Sequence, residues 1–237
     1  EMNRAINAPD FVLSVRDFHA PQQTLVYADK DGRVGFIAPA RLPIRRADND
    51  AMGRVPVPGW EAKYDWQGFA PFEQMPRAVD PPSGALVTAN HRIVPPDFKP
   101  FMTTDWMPPY RANRIEALLA GQAKHDVASM RRIQGDVESS LAMAMRPAFA
   151  AAAPETEGGK RAAALAKGWD GVMRADSPAP LVFAAWYREL TRLVYSDELG
   201  ELFPDFWDQR AAFMIAAMTG PASAWCDDVT TAGTETC

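Results

Sequence analysis

Proline is concentrated in one stretch of the chain, and this limits the folds that are open to it. Thirteen of the 21 prolines lie between Pro39 and Pro109. Because the residue before a proline is driven towards extended backbone, this stretch is not helical. We expect rigid loops that feed a short apolar strand from Ala85 to Ala89, with Asn90 and His91 at its end. Rigid loops of this kind often build a site, although they more often only shape a surface.

Alternating apolar residues predict a β-hairpin near the start of the chain. Thr24 to Ala28 and Arg33 to Ile37 alternate as strands do, and the pair Asp31-Gly32 between them is typical of a hairpin turn. Asp10 to Asp17 is predicted to be a short helix.

Helical spacing of apolar residues dominates after residue 110. It predicts one long amphipathic helix from Val127 to Met145, a second that begins at Pro178 and continues past Val194, and a third from Phe206 to Met218. The third is ended by Gly220-Pro221, and Pro154 to Gly159 is predicted to be a turn or linker.

Strands followed by helices predict an α+β fold. We expect a strand- and loop-rich part at residues 1–109 and a mainly helical part at residues 110–237. Hydrophobic residues make up 47% of the chain, which supports a buried core and argues against disorder.

Composition also excludes several classes of partner. The net charge is −5 and there is no long basic run, so no nucleic-acid partner is expected. The apolar run from Ala211 to Met218 is too short to cross a bilayer, so no membrane span is expected. No signal peptide is visible in the first residues.

Common catalytic signatures are missing from the sequence. It contains no G-x-S-x-G, no H-E-x-x-H and no dinucleotide glycine fingerprint. The run from Gly158 to Arg161 lacks the first glycine and the Ser or Thr of a phosphate loop.

The two cysteines, Cys226 and Cys237, lie close together near the end of the chain. A disulfide between them would suit an exported protein, but two unpaired thiols, or pairing with other cysteines, stay open as alternatives. Metal binding there is not expected, because no His or further Cys lies at ligand spacing.

Six spaced blocks, in this order, resemble one family. They are FHAPQQ from Phe18, GFIAP from Gly35, PVPGW from Pro56, YDWQGFAPFEQMP from Tyr64, PPSGALVTANHR from Pro81 and TDWMPPYRANRI from Thr104. Together they resemble the penicillin acylase family of N-terminal-nucleophile hydrolases, which includes penicillin amidases, cephalosporin acylases and acyl-homoserine-lactone acylases. The resemblance is strong up to about Leu119. It implies part of an αββα sandwich, two stacked antiparallel sheets flanked by helices, within a single incomplete catalytic domain.

The resemblance also implies how an amide would be cleaved. In this family the first residue of the catalytic subunit, usually serine, is the nucleophile, and its own α-amino group is the base. Glu1 has no hydroxyl or thiol, and the blocks found here lie well inside the family's catalytic subunit. We therefore expect an internal segment of a longer precursor, inactive by itself, whose partners are the α subunit and the remainder of the β subunit.

Asn90 falls where the family places the asparagine whose side-chain amide donates to the tetrahedral oxyanion. A neutral, fixed N–H suits that role because it needs no proton exchange. The alternative is that Asn90 only caps the turn into His91. His91 replaces a more usual asparagine and is expected to be a neighbour and not a base.

Arg111 falls where the family has an arginine near the active centre. The resemblance implies that it holds the asparagine and the catalytic amine, or meets a polar end of the substrate. The alternative is a surface charge at the start of a helix.

Three tryptophans and one polar loop are weaker candidates. Trp60, Trp66 and Trp106 lie in the proline-rich stretch and are expected in the core rather than in an acyl pocket. Asp48-Asn49-Asp50 offers oxygen ligands. The resemblance allows a structural calcium, which the sequence does not locate, and no other cofactor is expected.

The sequence thus predicts part of an amidohydrolase acting on N-acyl compounds, either β-lactam side chains or acyl-homoserine lactones, through a serine acyl-enzyme. The family implies a periplasmic or secreted protein. The alternative is a non-catalytic binding or scaffolding protein that kept the fold. This alternative predicts that no Ser, Thr or Cys lies at a processing junction upstream of Glu1.

Overall fold

The computed structural model describes residues 1–220 and 223–235, and the chain divides into two compact units. The first unit is Glu1–Leu119 and the second is Ala120–Cys237. Strands occur in the first unit, and helices dominate the described part of the second. The α+β class predicted from the sequence is confirmed.

The first unit consists of short elements joined by long loops. Its helices are α1 (Ala8–Ser14) and α2 (Tyr110–Ala120), and its strands are β1 (Leu25–Ala28), β2 (Val34–Ile37), β3 (Pro43–Arg45), β4 (Trp66–Phe69) and β5 (Arg77–Val79). An antiparallel sheet has the order β1–β2–β5, and β3 pairs antiparallel with β4.

Local sequence signals explain the hairpin and the first helix, and both predictions are confirmed. β1 and β2 pair in the register Val26↔Phe36, and Gly32 in the turn has a φ of 83°, which glycine adopts without strain. The Asn7 side chain accepts a hydrogen bond of 2.8 Å from the Asp10 amide and so caps α1.

The predicted strand from Ala85 to Ala89 is wrong. The segment is bracketed by two residues with left-handed backbone, Gly84 (φ 66°) and Asn90 (φ 63°), and it pairs with no described strand. Because a strand needs a neighbour to complete its hydrogen bonds, a short apolar run alone does not make one.

The second unit contains a series of helices. They are α3 (Val127–Gln134), α4 (Ser140–Ala151), α5 (Glu157–Gly168), α6 (Ala179–Leu199), α7 (Phe203–Phe206) and α8 (Ala211–Thr219). α6 confirms the second predicted helix. Among the described residues, no helix has the length and apolar character needed to span a membrane.

The long helix predicted from Val127 to Met145 is wrong, because the chain forms α3 and α4 instead. Gly135 follows the last residue of α3, and Ser139 caps the start of α4 by accepting a hydrogen bond of 3.1 Å from the Ala142 amide. Between them Glu138 forms an isolated β-bridge with Val172. Capping and this long-range bridge therefore outweigh the apolar periodicity.

Two more boundaries differ from the prediction. The turn predicted from Pro154 to Gly159 already contains the start of α5, which Thr156 caps through its side-chain oxygen at 3.1 Å from the Gly159 amide. The third predicted helix is shorter than expected, since α8 begins at Ala211 and α7 ends before it. Gly220 follows α8 as predicted.

Methionine and aromatic side chains fill the core of the second unit. Met145 and Met214 are fully buried, and the Phe149 ring stacks on Trp186 with centroids 4.5 Å apart. The predicted disulfide between Cys226 and Cys237 lies outside the described residues, because Cys237 is not among them.

Candidate functional site

Asn90 sits at a sharp turn in the first unit. Its φ of 63° places it in the left-handed region, which asparagine tolerates better than most residues that carry a Cβ. Its carbonyl oxygen accepts a hydrogen bond of 3.1 Å from the Met107 amide. The chain is therefore fixed on both sides of the turn, while the Asn90 side chain is exposed.

Arg111, the second residue of α2, contacts this turn. Its Nη2 donates to the Asn90 side-chain oxygen Oδ1 at 2.7 Å and to the Ala89 carbonyl oxygen at 2.9 Å. The structure thus brings together the two residues singled out from the sequence, although 20 residues separate them in the chain.

The bond from Arg111 decides the orientation of the Asn90 amide. A guanidinium only donates, so the atom that faces it must be the amide oxygen. The Nδ2 group then lies on the other side of the amide, and no described residue accepts a hydrogen bond from it. Asn90 is therefore an oriented, neutral N–H donor with its donor side open.

Neither His91 nor His19 forms a hydrogen bond with Asn90 or Arg111 among the described residues. His91 is half-buried, and its Nδ1 is shielded from solvent without a hydrogen-bond partner among the described residues. His19 Nε2 lies 3.3 Å from Arg41 Nη1. Because arginine donates, Nε2 must accept, which makes this contact a surface hydrogen bond.

The expectation that the tryptophans lie in the core is wrong for Trp60 and Trp66. Trp60 is 88% exposed and Trp66 is 59% exposed, whereas Trp106 is half-buried. Trp66 belongs to β4, whose four residues are all exposed and which pairs only with β3 among the described strands. A two-stranded ribbon of this size offers little surface against which a large ring can be buried.

The oxygens of the Asp48-Asn49-Asp50 loop are used within the chain. Asp48 accepts two hydrogen bonds from Arg46, at 2.9 and 3.2 Å, which hold the pKa of its carboxyl below the usual range. Asp50 pairs with Lys63 at 3.2 Å, and buried Asn49 accepts the Met52 amide at 2.7 Å. In the described ranges no group of three or more His, Cys, Asp or Glu side chains is arranged for a metal ion.

A cavity of about 290 Å³ lies elsewhere in the first unit, at the junction of α1 with β1. Met2, Ile6 and Phe11 contribute apolar lining, and Tyr27 and Asp29 contribute polar groups. Neither Asn90 nor Arg111 lines it. No sequence motif marks this cavity, so it could not be predicted.

The chain is similar to known proteins along its whole length. The family model described as Penicillin amidase matches residues 1–237. The chain belongs to this family. It is similar to the Penicillin acylase 2 proenzyme of Pseudomonas sp. (strain SE83), with 39% identity over 173 residues that cover 72% of this chain and 22% of that protein. It is also similar to the acyl-homoserine lactone acylase QuiP of Pseudomonas aeruginosa, with 31% identity over 215 residues, covering 84% of this chain and 25% of that protein.

The fold of this penicillin amidase family member is also similar to that of a solved structure. The thermostable penicillin G acylase from Alcaligenes faecalis matches with a TM-score of 0.64 and 26% identity, over 89% of this chain and 38% of that chain. The chain spans about a quarter of the length of the curated relatives it matches. The activity of the whole protein to which this chain belongs is therefore stated as a proposal.

Proposed function

We propose that the protein containing this chain hydrolyses the amide bond of N-acyl compounds, with Asn90 as an oxyanion donor. The observation that carries the proposal is the 2.7 Å hydrogen bond from Arg111 to the Asn90 side-chain oxygen, which leaves an oriented Nδ2–H free to donate. Membership of the penicillin amidase family supports it.

In the proposed reaction a serine hydroxyl attacks the amide carbonyl carbon, and the carbonyl oxygen becomes an oxyanion. Asn90 Nδ2–H donates to that oxygen, because a neutral donor already in place stabilises the developing charge without reorganisation. The α-amino group of the serine takes the hydroxyl proton and passes it to the amine as the C–N bond breaks. Water then attacks the acyl-serine ester, releasing the carboxylic acid and restoring the serine hydroxyl. The family resemblance assigns the serine to the first position of a catalytic subunit, and no residue of this chain is given that role.

Arg111 is proposed to act through Asn90. It fixes which atom of the amide faces the reacting centre, and its Nε and Nη1 make no hydrogen bond to a described residue. Those donors are left for a polar end of the substrate. Asn90 and Arg111 together thus supply one neutral and one cationic donor at a single exposed surface.

The substrate class rests on the relatives. The similar proteins are named as penicillin acylase and acyl-homoserine lactone acylase, so N-acyl β-lactams and N-acyl homoserine lactones are the proposed classes. The proposed partners are the other segments of a processed precursor, in keeping with the word proenzyme in the name of one relative and with the partial coverage. A periplasmic or secreted location and a structural calcium stay proposals from the family resemblance.

The test uses Asn90→Ala in the full-length protein, with Asn113→Ala as the control. Asn113 is an exposed asparagine on α2 that plays no part in the proposed site. Loss of one oxyanion donor should lower kcat on the order of 10²–10³-fold with little change in KM, while the control keeps its activity. Wild-type kcat in Asn90→Ala would refute the role of Asn90.

The rival is a binding or scaffolding protein that kept the fold. It predicts no turnover of any N-acyl amide and no covalent acyl adduct in the wild-type protein. Mass spectrometry of the protein mixed with a penicillin or an acyl-homoserine lactone separates the two, since only the hydrolase gains the mass of the acyl group.

A further inference from the structure

The end of α6 carries two consecutive carboxylates that contact each other. The side chains of Asp197 and Glu198 lie within hydrogen-bonding reach of each other, and Asp197 Oδ1 and Glu198 Oε2 are both shielded from solvent with no donor among the described residues. Two ionised carboxylates in this arrangement would leave two buried oxygens without a donor. One proton held between them satisfies both oxygens.

The same pair anchors the loop from Asp227 to Glu235. The second oxygen of Asp197, Oδ2, accepts a hydrogen bond of 2.9 Å from the Val229 amide, which lies 32 residues further along the chain. The loop is closed on itself by three hydrogen bonds with Glu235. Its carboxylate accepts from the Asp228 amide at 3.2 Å and from the Thr231 hydroxyl at 2.7 Å, and its amide donates to Asp227 at 2.8 Å. Asp197 is thus a point at which α6 holds this loop.

The electrostatic surroundings favour one shared proton. Asp197 and Asp228 are both acidic, and their charges raise the pKa of Glu198. The neighbouring short helices, Gly200–Leu202 and α7, add the acidic residues Glu201 and Asp205, and the 3-10 turn Ser223–Cys226 has no charged residue. Before α8, Arg210 pairs with Asp208 at 3.1 Å, and within α6 Arg192 pairs with Glu189.

We propose that Asp197 and Glu198 form a carboxyl–carboxylate clasp that holds the Asp227–Glu235 loop on α6 at acidic pH and releases it at neutral to alkaline pH. In the closed clasp Glu198 Oε2–H donates to Asp197 Oδ1, and ionised Asp197 accepts the Val229 amide through Oδ2. Loss of the proton puts two negative charges in contact beside Asp228, and moving the loop away relieves the repulsion.

The direction of the pH effect follows from linkage. Burial and then the hydrogen bond to Asp197 raise the pKa of Glu198 from 4.5 to about 7. The stabilisation is complete below the ordinary pKa of glutamic acid and is lost as the pH rises through about 7. For Asp197, burial alone would raise the pKa, but the hydrogen bonds with Glu198 and Val229 outweigh it and lower the pKa, so Asp197 stays ionised across this range.

Hydrogen exchange of the Val229 amide in the full-length protein tests the clasp. After correction for the intrinsic pH dependence of exchange, the opening equilibrium should rise between pH 5 and pH 8. A fully shielded pair would give on the order of 10²-fold, and water around half-buried groups reduces this to at least about tenfold. Unchanged protection of the loop between these pH values overturns the proposal.

Two variants and one control make the assignment specific. Glu198→Gln supplies a permanent N–H donor to Asp197, so Val229 should stay protected at both pH values. Asp197→Asn removes the neighbouring charge, so it should weaken the pH dependence even if the first variant fails to fold, and what remains is the effect of burial on Glu198. Glu201→Gln, at an exposed acid in the next turn, should behave as the wild type. Wild-type pH dependence in either clasp variant overturns the proposal, and none of these readouts depends on amidase activity.

Discussion

We expect Asn90→Gly to be more stable than Asn90→Ala, although the two variants should lose the same amount of activity. Glycine accepts a φ of 63° freely, whereas a residue with an ordinary Cβ loses about 1–2 kcal/mol there. Both variants lose the hydrogen bond from Arg111, which contributes about 0.5–1.5 kcal/mol. We therefore expect Asn90→Ala to be less stable than Asn90→Gly by about 1–2 kcal/mol.

This order reverses the usual one, which makes it a sharp test. At a position with ordinary negative φ, glycine is less stable than alanine by about 0.5–1 kcal/mol. Urea denaturation of the full-length protein gives the difference from the midpoints, provided that the slope is unchanged. Equal midpoints, or a more stable alanine variant, would show that the left-handed turn at Asn90 is not maintained.

The activities of the two variants should fall together. Neither side chain carries an N–H, so each should lose on the order of 10²–10³-fold in kcat, which corresponds to about 2.7–4 kcal/mol of transition-state stabilisation. A glycine variant that is well folded yet inactive separates the chemical role of the amide from its structural role. If Asn90→Gly keeps its turnover, then Asn90 only shapes the turn.

Three further substitutions test the surroundings of the site and the two units. Arg111→Met should lower kcat by about tenfold, because the Asn90 amide is then free to flip. Arg111→Lys should recover part of the lost kcat, since both hydrogen bonds of Arg111 come from one nitrogen. Steady-state kinetics measure both effects. Gly35→Ala should cost about 1–3 kcal/mol in urea denaturation, because the new methyl group overlaps the Tyr27 ring and lies 2.8 Å from a backbone oxygen of β5, whereas Gly59→Ala meets no neighbour and should be silent. Met214→Ala, at a fully buried position, should cost about 2–5 kcal/mol by the same measurement, and a silent variant would contradict the core described for the second unit.

Features that depend on a few adjacent residues could be predicted from the sequence. The hairpin follows from Asp31-Gly32, and the start of α6 follows from the prolines before Leu181. In these cases the hydrogen bonds and the backbone angles are set within one turn of the chain, so local composition decides them.

Features that depend on distant partners could not be predicted from the sequence. Ala85 to Ala89 has the composition of a strand, but none of the described strands pairs with it. α3 and α4 share one apolar periodicity, yet Glu138 pairs with Val172, 34 residues away, and the helix breaks there. Ser139 caps the start of α4 and so favours a new helix there over a continuous one.

The candidate site was located by resemblance and not by periodicity or composition. Asn90 and Arg111 lie in blocks that resemble the family, while the left-handed turn and the bond between the two side chains depend on how the chain folds back through 20 intervening residues. No rule of local structure gives that contact.

The segment from His91 to Trp106 is a loop whose two ends are tied together by the hydrogen bonds of Asn90 with Met107 and Arg111. It has no helix or strand, and Met102 contacts the small cluster of Leu42, Ala70 and Met75. Doubling the length of such a loop costs only about 0.6 kcal/mol of closure entropy when its ends are fixed. Evolution can therefore lengthen, shorten or recompose this loop, and so change what reaches the Asn90 amide, while the geometry of the donor stays the same.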